Sequence, residues 1–145
     1  MTLLGVVIAS YANYKVQRWR YRSDRLDNAI NTLCLVINEA ADQATDYWLL
    51  DCSSKEMAAK AHAAEFVIVG RQSRIQQLIF AVGVLDLKFM VPSLNQLVDD
   101  LFDAMTAGDF QVAGRAPDLI RAAKVQSVAA QMNGALREAV GVRVS

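Results

Sequence analysis

His62 and Glu65 sit three residues apart. On a helix that spacing puts an imidazole and a carboxylate on one face, where such a pair can hold a metal ion or pass a proton. Glu39, Asp42 and Asp46 lie on an earlier segment that could face them. A di-metal site in a helical bundle, however, uses two Glu-x-x-His motifs and two further Glu. This chain has one His, in the reverse order His-x-x-Glu. The pattern predicts a solvated His on an alanine-rich helix. A lone His with no nucleophile at a paired spacing also disfavours Ser-His or Cys-His chemistry. Gly108 and Gly114 frame a loop, but the Gly-x-x-x-x-Gly-Lys-Ser/Thr pattern of a phosphate cradle is missing. The expectation is therefore no enzyme, no metal and no cofactor.

Two smaller groups remain. In the 108–116 loop, Phe110 and Val112 are expected to tuck under the end of the fold. Arg115 is expected to cap helix carbonyls or meet Asp109 or Asp118, its alternative role being contact with an anion or partner. Asp99, Asp100 and Asp103 read as a solvated helix face that could double as a docking surface for a basic partner. Of the two cysteines, Cys34 lies mid-helix on an apolar face and reads as a small core residue. Cys52 falls at a helix end, a position open to exposure. Both are expected to be reduced.

The first 25 residues carry a different kind of chemistry. Met1 to Tyr14 has no charge and is rich in Leu, Val and Ile. Lys15, Arg18, Arg20, Arg22 and Arg25 follow, interleaved with Tyr14, Trp19 and Tyr21. That order suits an apolar end in lipid, rings at the headgroups and cations on an anionic surface. Membrane-surface contact is thus assigned to Lys15, Arg18, Trp19, Arg20, Tyr21 and Arg22. Fourteen uncharged residues rise only ~21 Å, short of a bilayer core of about 30 Å, so spanning needs snorkelling by Lys15 and Arg18. A signal peptide fits poorly, because its charges precede the apolar run. The other reading is that residues 1–14 form an oligomer interface.

Charge is segregated along the chain. Residues 1–25 hold five cations and Asp24, and the other 120 residues hold ten cations and fourteen anions. A basic arm on an acidic body does not suit nucleic acid, which calls for cations spread over a folded face. Hydrophobic residues make up 54% of the chain, which excludes disorder.

These groups must be carried by helices. Leu26, Ile30, Leu33, Ile37, Ala40, Ala44, Tyr47 and Trp48 recur at three and four, and no Gly or Pro interrupts Val6 to Asp51. The spacing predicts one continuous first helix. Ser53-Ser54-Lys55-Glu56 reads as a capping box closed by the Ser53 hydroxyl on the Glu56 N–H. The second helix carries Met57, Ala61, Ala64, Ile68, Ile75, Leu78, Val82 and Leu85 inward, with Leu78 to Leu85 expected to be the most buried part. Arg71 or Arg74 is expected to pair with Asp42 or Asp46. Pro92 opens a third helix, with Leu94, Leu97, Val98, Leu101, Phe102 and Met105 inward, closed by Gly108 in a left-handed cap. Pro117 opens a fourth, with Leu119, Ile120, Ala123, Val128, Met132, Leu136 and Val140 inward, ended by Gly141.

Short connections predict an all-α, uneven antiparallel four-helix bundle. Its long first helix extends from an N-terminal hydrophobic anchor, and a two-helix hairpin projects past a shorter pair. Residues 1–24 form the anchor and basic juxtamembrane stretch; residues 25–145 form the bundle. Tyr14 to Arg25, Thr45-Asp46-Tyr47-Trp48 and Gly108-Asp109-Phe110 through Gly114-Arg115 give a layout that resembles small uncharacterised bacterial or phage proteins with an N-terminal membrane helix and a helical cytoplasmic body. That resemblance implies a membrane-associated protein with its body in the cytoplasm and supplies no catalytic residues. The expected function is that of a membrane-anchored interaction module, with membrane lipid, an unidentified protein and further copies of itself as partners. The alternatives are a soluble helical protein that uses residues 1–14 to oligomerise and a small membrane-active phage or defence protein.

Overall fold

The computed structural model describes the backbone of residues 3–85 and 92–141, and the side chains of 10–85 and 94–139. Four helices follow one another: α1 (Leu3–Leu49), α2 (Lys55–Leu85), α3 (Pro92–Thr106) and α4 (Leu119–Gly141). No strand occurs among the described residues. Helix α1 packs along α2 on one side and α4 on the other, and α3 packs along α4. Cross-contacts fix antiparallel neighbours. Tyr47 and Glu39 of α1 reach Glu65 and Arg71 of α2, Thr45 and Asn38 of α1 reach Gln126 and Asn133 of α4, and Asp103 near the end of α3 meets Lys124 near the start of α4.

The inward positions of α1 are the expected ones. Leu26, Ile30, Leu33, Ile37, Ala40, Ala44, Tyr47 and Trp48 are all buried. Cys34 joins them as expected, together with Val36 and Ala41, because α1 faces two neighbours and needs a wider apolar stripe than one partner would. Helix α3 likewise buries Leu94, Val98, Leu101 and Met105.

Several expectations fail, each for a local reason. The α2 cap is Ser54, whose Oγ accepts the Met57 N–H at 3.2 Å. The Ser53 N–H is held instead by Asp51 Oδ1 at 3.0 Å, which shifts the helix start by one residue. Pro117 lies outside α4. Asp118 caps that helix, with Oδ1 accepting the Arg121 N–H and its carbonyl accepting the Ala122 N–H. Leu119 and Ile120 are 71% and 84% exposed, and the inward residues of α4 are Ala122, Val125, Val128, Ala129, Met132 and Leu136. Leu78 to Leu85 is not the most buried stretch of α2. Val82 and Gly83 are buried, but Phe80 and Val84 face solvent. Cys52 is buried, not exposed, because its N–H donates to the Arg115 carbonyl and draws the turn inward. Both cysteines are free thiols. The side chains of Val140 and of the apolar run Leu3–Ala9 lie outside those described.

Gly108 takes φ +71° just past the end of α3, as its cap position requires. A Cβ there would also meet the Arg121 guanidinium at 2.7 Å.

The projecting element is α1 alone, not a two-helix hairpin. Its first described buried residue is Leu26, and residues 10–25 are exposed apart from half-buried Ser23. Residues 3–25 thus form a helical arm about 34 Å long. No helix among the described residues is long and apolar enough to cross a membrane. The expected transmembrane helix is therefore not found, since cations from Lys15 onward end the apolar run too early. No membrane anchor is shown by the fold.

Candidate functional site

The arm is an unbroken helix whose residues 10–25 are exposed apart from half-buried Ser23. Tyr11, Tyr14, Lys15, Arg18, Trp19 and Arg22 line one shallow surface along it, because three- and four-residue steps keep to one side of a helix. Ser10, Asn13, Gln17 and Asp24 follow the same steps on the other side. The single anion of the arm thus lies away from its main cationic face. Lys15 Nζ sits 5.4 Å from the centre of the Tyr11 ring, and the Arg25 guanidinium 5.7 Å from that of Tyr21. Trp19 is 65% exposed and Tyr21 63%. Of the residues assigned to membrane contact, Lys15, Arg18, Trp19 and Arg22 share this face. Tyr21 is exposed on a neighbouring flank, and Arg20 is exposed on the opposite side of the helix, beside Asn13 and Asp24. Such a surface offers cations to phosphates and amphipathic rings to a boundary between water and an apolar phase.

The opposite end of α1 is built from the same residue types, turned inward. Tyr47 and Trp48 are buried, and Phe110 packs 5.2 Å from Tyr47. Arg115 is buried with its guanidinium 4.0 Å from the Tyr47 ring centre and 4.8 Å from that of Trp48. It donates to the carbonyls of Tyr47 and Trp48. Helix α1 has no basic residue in its last turn, so Arg115 supplies from a distant loop the cation that a helix C-terminus favours. The Trp48 carbonyl also accepts the Asp118 N–H at 2.8 Å, and Trp48 Nε1 donates to the Met105 carbonyl at 3.1 Å. Among the described residues no carboxylate pairs with Arg115, and its Nε is buried without a partner. Of its two expected roles, carbonyl capping is the one the structure uses. Its two Nη groups donate to these carbonyls within the fold. Val112 stays half exposed and does not tuck in with Phe110.

Glu65 and Asn133 are the buried polar residues that sequence reasoning missed, and Glu65 is the more connected. It is buried, accepts from the Tyr47 hydroxyl at 3.3 Å and lies 2.9 Å from His62 Nδ1. The Tyr47 hydroxyl in turn accepts the Gln111 N–H at 3.0 Å, holding Gln111 at φ +65°. His62 itself is largely exposed. This chain of contacts ties α1, α2 and the 107–118 loop together. It brings no nucleophile to the His, and no group of three or more His, Cys, Asp or Glu among the described residues is placed to hold a metal ion. Arg71 pairs with Glu39 at 2.7 Å and reaches Gln43, not Asp42 or Asp46. Asp99, Asp100 and Asp103 line the outer side of α3, where Asp103 meets Lys124 at 3.1 Å and Asp100 accepts from Gln96. They form no common site with Arg115.

Compared with known proteins, the chain matches no protein family, no curated protein and no solved structure.

Proposed function

We propose that the chain is a non-catalytic helical module whose α1 arm attaches it to an anionic membrane surface, while the body serves protein contacts. One observation carries this reading. Sixteen helical residues, 10–25, lie outside the bundle and put Tyr11, Tyr14, Trp19 and three cations on one exposed face. A helix of this kind can lie in the interface plane without spanning. Each cation adds about 1 kcal/mol on anionic lipid, and the rings settle among the headgroups. The acidic body is repelled by the same surface, so the arm would be the only point of attachment. The cytoplasmic leaflet is the anionic one, which favours a body on the cytoplasmic side. Asp99 and Asp100 on the outer side of α3 are the acidic surface offered to a basic protein partner.

Co-sedimentation with vesicles tests the attachment. Binding is expected to vesicles containing phosphatidylserine, to fall with added salt, and to be weak on phosphatidylcholine alone. Changing Arg18, Arg20 and Arg22 to Glu should weaken it at least about 100-fold, as loss of roughly 3 kcal/mol implies, with the melting temperature unchanged. An intact chain that ignores anionic vesicles, but changes oligomer size when residues 1–14 are removed, makes the arm an oligomer interface instead. Leakage of a trapped dye on binding would point to the membrane-active alternative.

A further inference from the structure

Helix α2 is apolar on two opposite sides. One side is the core line Ala61, Ile68, Ile75 and Val82, spaced by seven and at most 5% exposed. On the opposite side a second pair of seven-residue lines runs through solvent: Phe66, Ser73 and Phe80, interleaved with Gly70, Gln77 and Val84. All six are exposed and none is charged. Phe66 is 67% exposed, Phe80 72% and Val84 66%. The steps alternate four and three, which is the a/d pattern of a helix-pairing seam. We infer that this stripe is the interface of a homodimer, in which α2 packs against α2 of a second copy.

Gly70 supports an external partner independently. It lies mid-helix, where glycine costs stability relative to alanine. A Cβ added there would meet no described atom within 4 Å, so no described neighbour requires the missing side chain. A second helix approaching closely does require it. Within the fold the residue is pure cost; at a seam it is the notch that lets two backbones come together.

A second copy fits better than a foreign partner for three reasons. Knobs enter holes along a seam only when both helices keep the same seven-residue repeat, and a second α2 brings that repeat with it. The stripe carries no charge, so self-pairing opposes no like charges, while nothing in it selects a partner by sign. Gln77, the polar member of its line, can meet an amide of the other copy and set the register. The two phenylalanine rings alone expose roughly 280 Å² per copy. With Val84, Val69 and the stems between them, a paired interface reaches the order of 1,000 Å² in total, the size at which specific contacts begin. The inference does not depend on what the arm binds.

Size-exclusion chromatography with light scattering on the full chain tests it. At about 100 μM, a mass of twice one chain is expected, a concentration suited to an interface at the lower size limit. Phe66→Asp with Phe80→Asp should give the single-chain mass with unchanged helical circular dichroism, since both rings are exposed in the isolated chain. Gly70→Leu should weaken self-association at least tenfold while leaving the melting temperature of the dissociated chain no lower. The Arg18, Arg20 and Arg22 to Glu variant should still dimerise. A single-chain mass for the intact protein overturns the inference. So does a dimer that survives both the double Phe replacement and Gly70→Leu.

Discussion

Aromatic rings meet cations at both ends of helix α1, yet the two ends behave oppositely. At the arm, Lys15 lies 5.4 Å from the Tyr11 ring and Trp19 stands in solvent. At the other end, Arg115 lies 4.0 Å from the Tyr47 ring, and Trp48 is fully buried between Arg115 and Arg121. Residue type alone does not separate them. The difference is the source of the cation. Arm cations come from the same helix as the rings, so nothing is enclosed. Arg115 arrives from a loop some 67 residues along the chain, and it brings α3, α4 and the 107–118 loop with it. Enclosure turns a weak surface contact into a structural joint, because a buried guanidinium keeps only the partners the fold gives it.

The largest expected contrast is between the two tryptophans. Trp48→Ala should cost about 3–5 kcal/mol by cavity formation and loss of the Met105 hydrogen bond, a large share of the ~5–15 kcal/mol available to a domain. Chemical denaturation should show a much lower midpoint. Trp19→Ala should stay within about 0.5 kcal/mol of the parent. Equal losses at the two sites would mean that the arm is packed in solution.

A smaller contrast separates the arginines. Arg115→Ala should destabilise by about 1.5–3 kcal/mol, the range for charged hydrogen bonds lost to buried acceptors. It should also speed hydrogen exchange at the end of α1 and in the 107–118 loop. Arg18→Ala should leave denaturation unaltered and reduce only vesicle binding. A destabilised Arg18 variant would erase the distinction between joint and surface.

The smallest effect concerns Cys34, midway along α1. Burial pushes its thiol above the ordinary range, and the nearby Arg137 guanidinium pulls it partly back. The folded chain thus keeps the proton to higher pH than the unfolded chain does. The thiol's contribution to stability is complete below the unfolded value, about pH 8.5, and is lost as pH rises through the folded one. Melting followed from pH 7 to pH 10 should decline less steeply in Cys34→Ala than in the parent. Matching slopes would show that Cys34 stays accessible and belongs with the open half of the helix.

Much of this was legible from the residues. The all-helical fold, the inward line of α1 from Leu26 to Trp48, the left-handed cap at Gly108 and carbonyl capping by Arg115 all follow from local spacing and residue chemistry. Local rules also misplaced two helix starts, at Ser53 and Pro117, because neighbouring residues Ser54 and Asp118 can cap equally well and only the path of the chain chooses between them. The α4 misreading is one of phase: Leu119 and Ile120 lie well round the helix from the inward line of Val125, Val128, Met132 and Leu136, wherever the helix begins.

What the sequence determined by itself is periodicity. Period 3.6 says that a face is apolar, and a basic, aromatic run says that the arm has two contrasting sides. It does not say which apolar face another element will cover. Helix α2 has two, and only tertiary packing assigned Ala61, Ile68, Ile75 and Val82 to the core while leaving Phe66, Phe80 and Val84 in solvent. Glu65 entered the core for the same reason. Its carboxylate is tolerable there only because Tyr47 and His62, brought from one helix away and one turn back, satisfy it. Burial is a property of neighbours, and neighbours distant in the chain are set by how whole helices pack, which no window of local sequence contains.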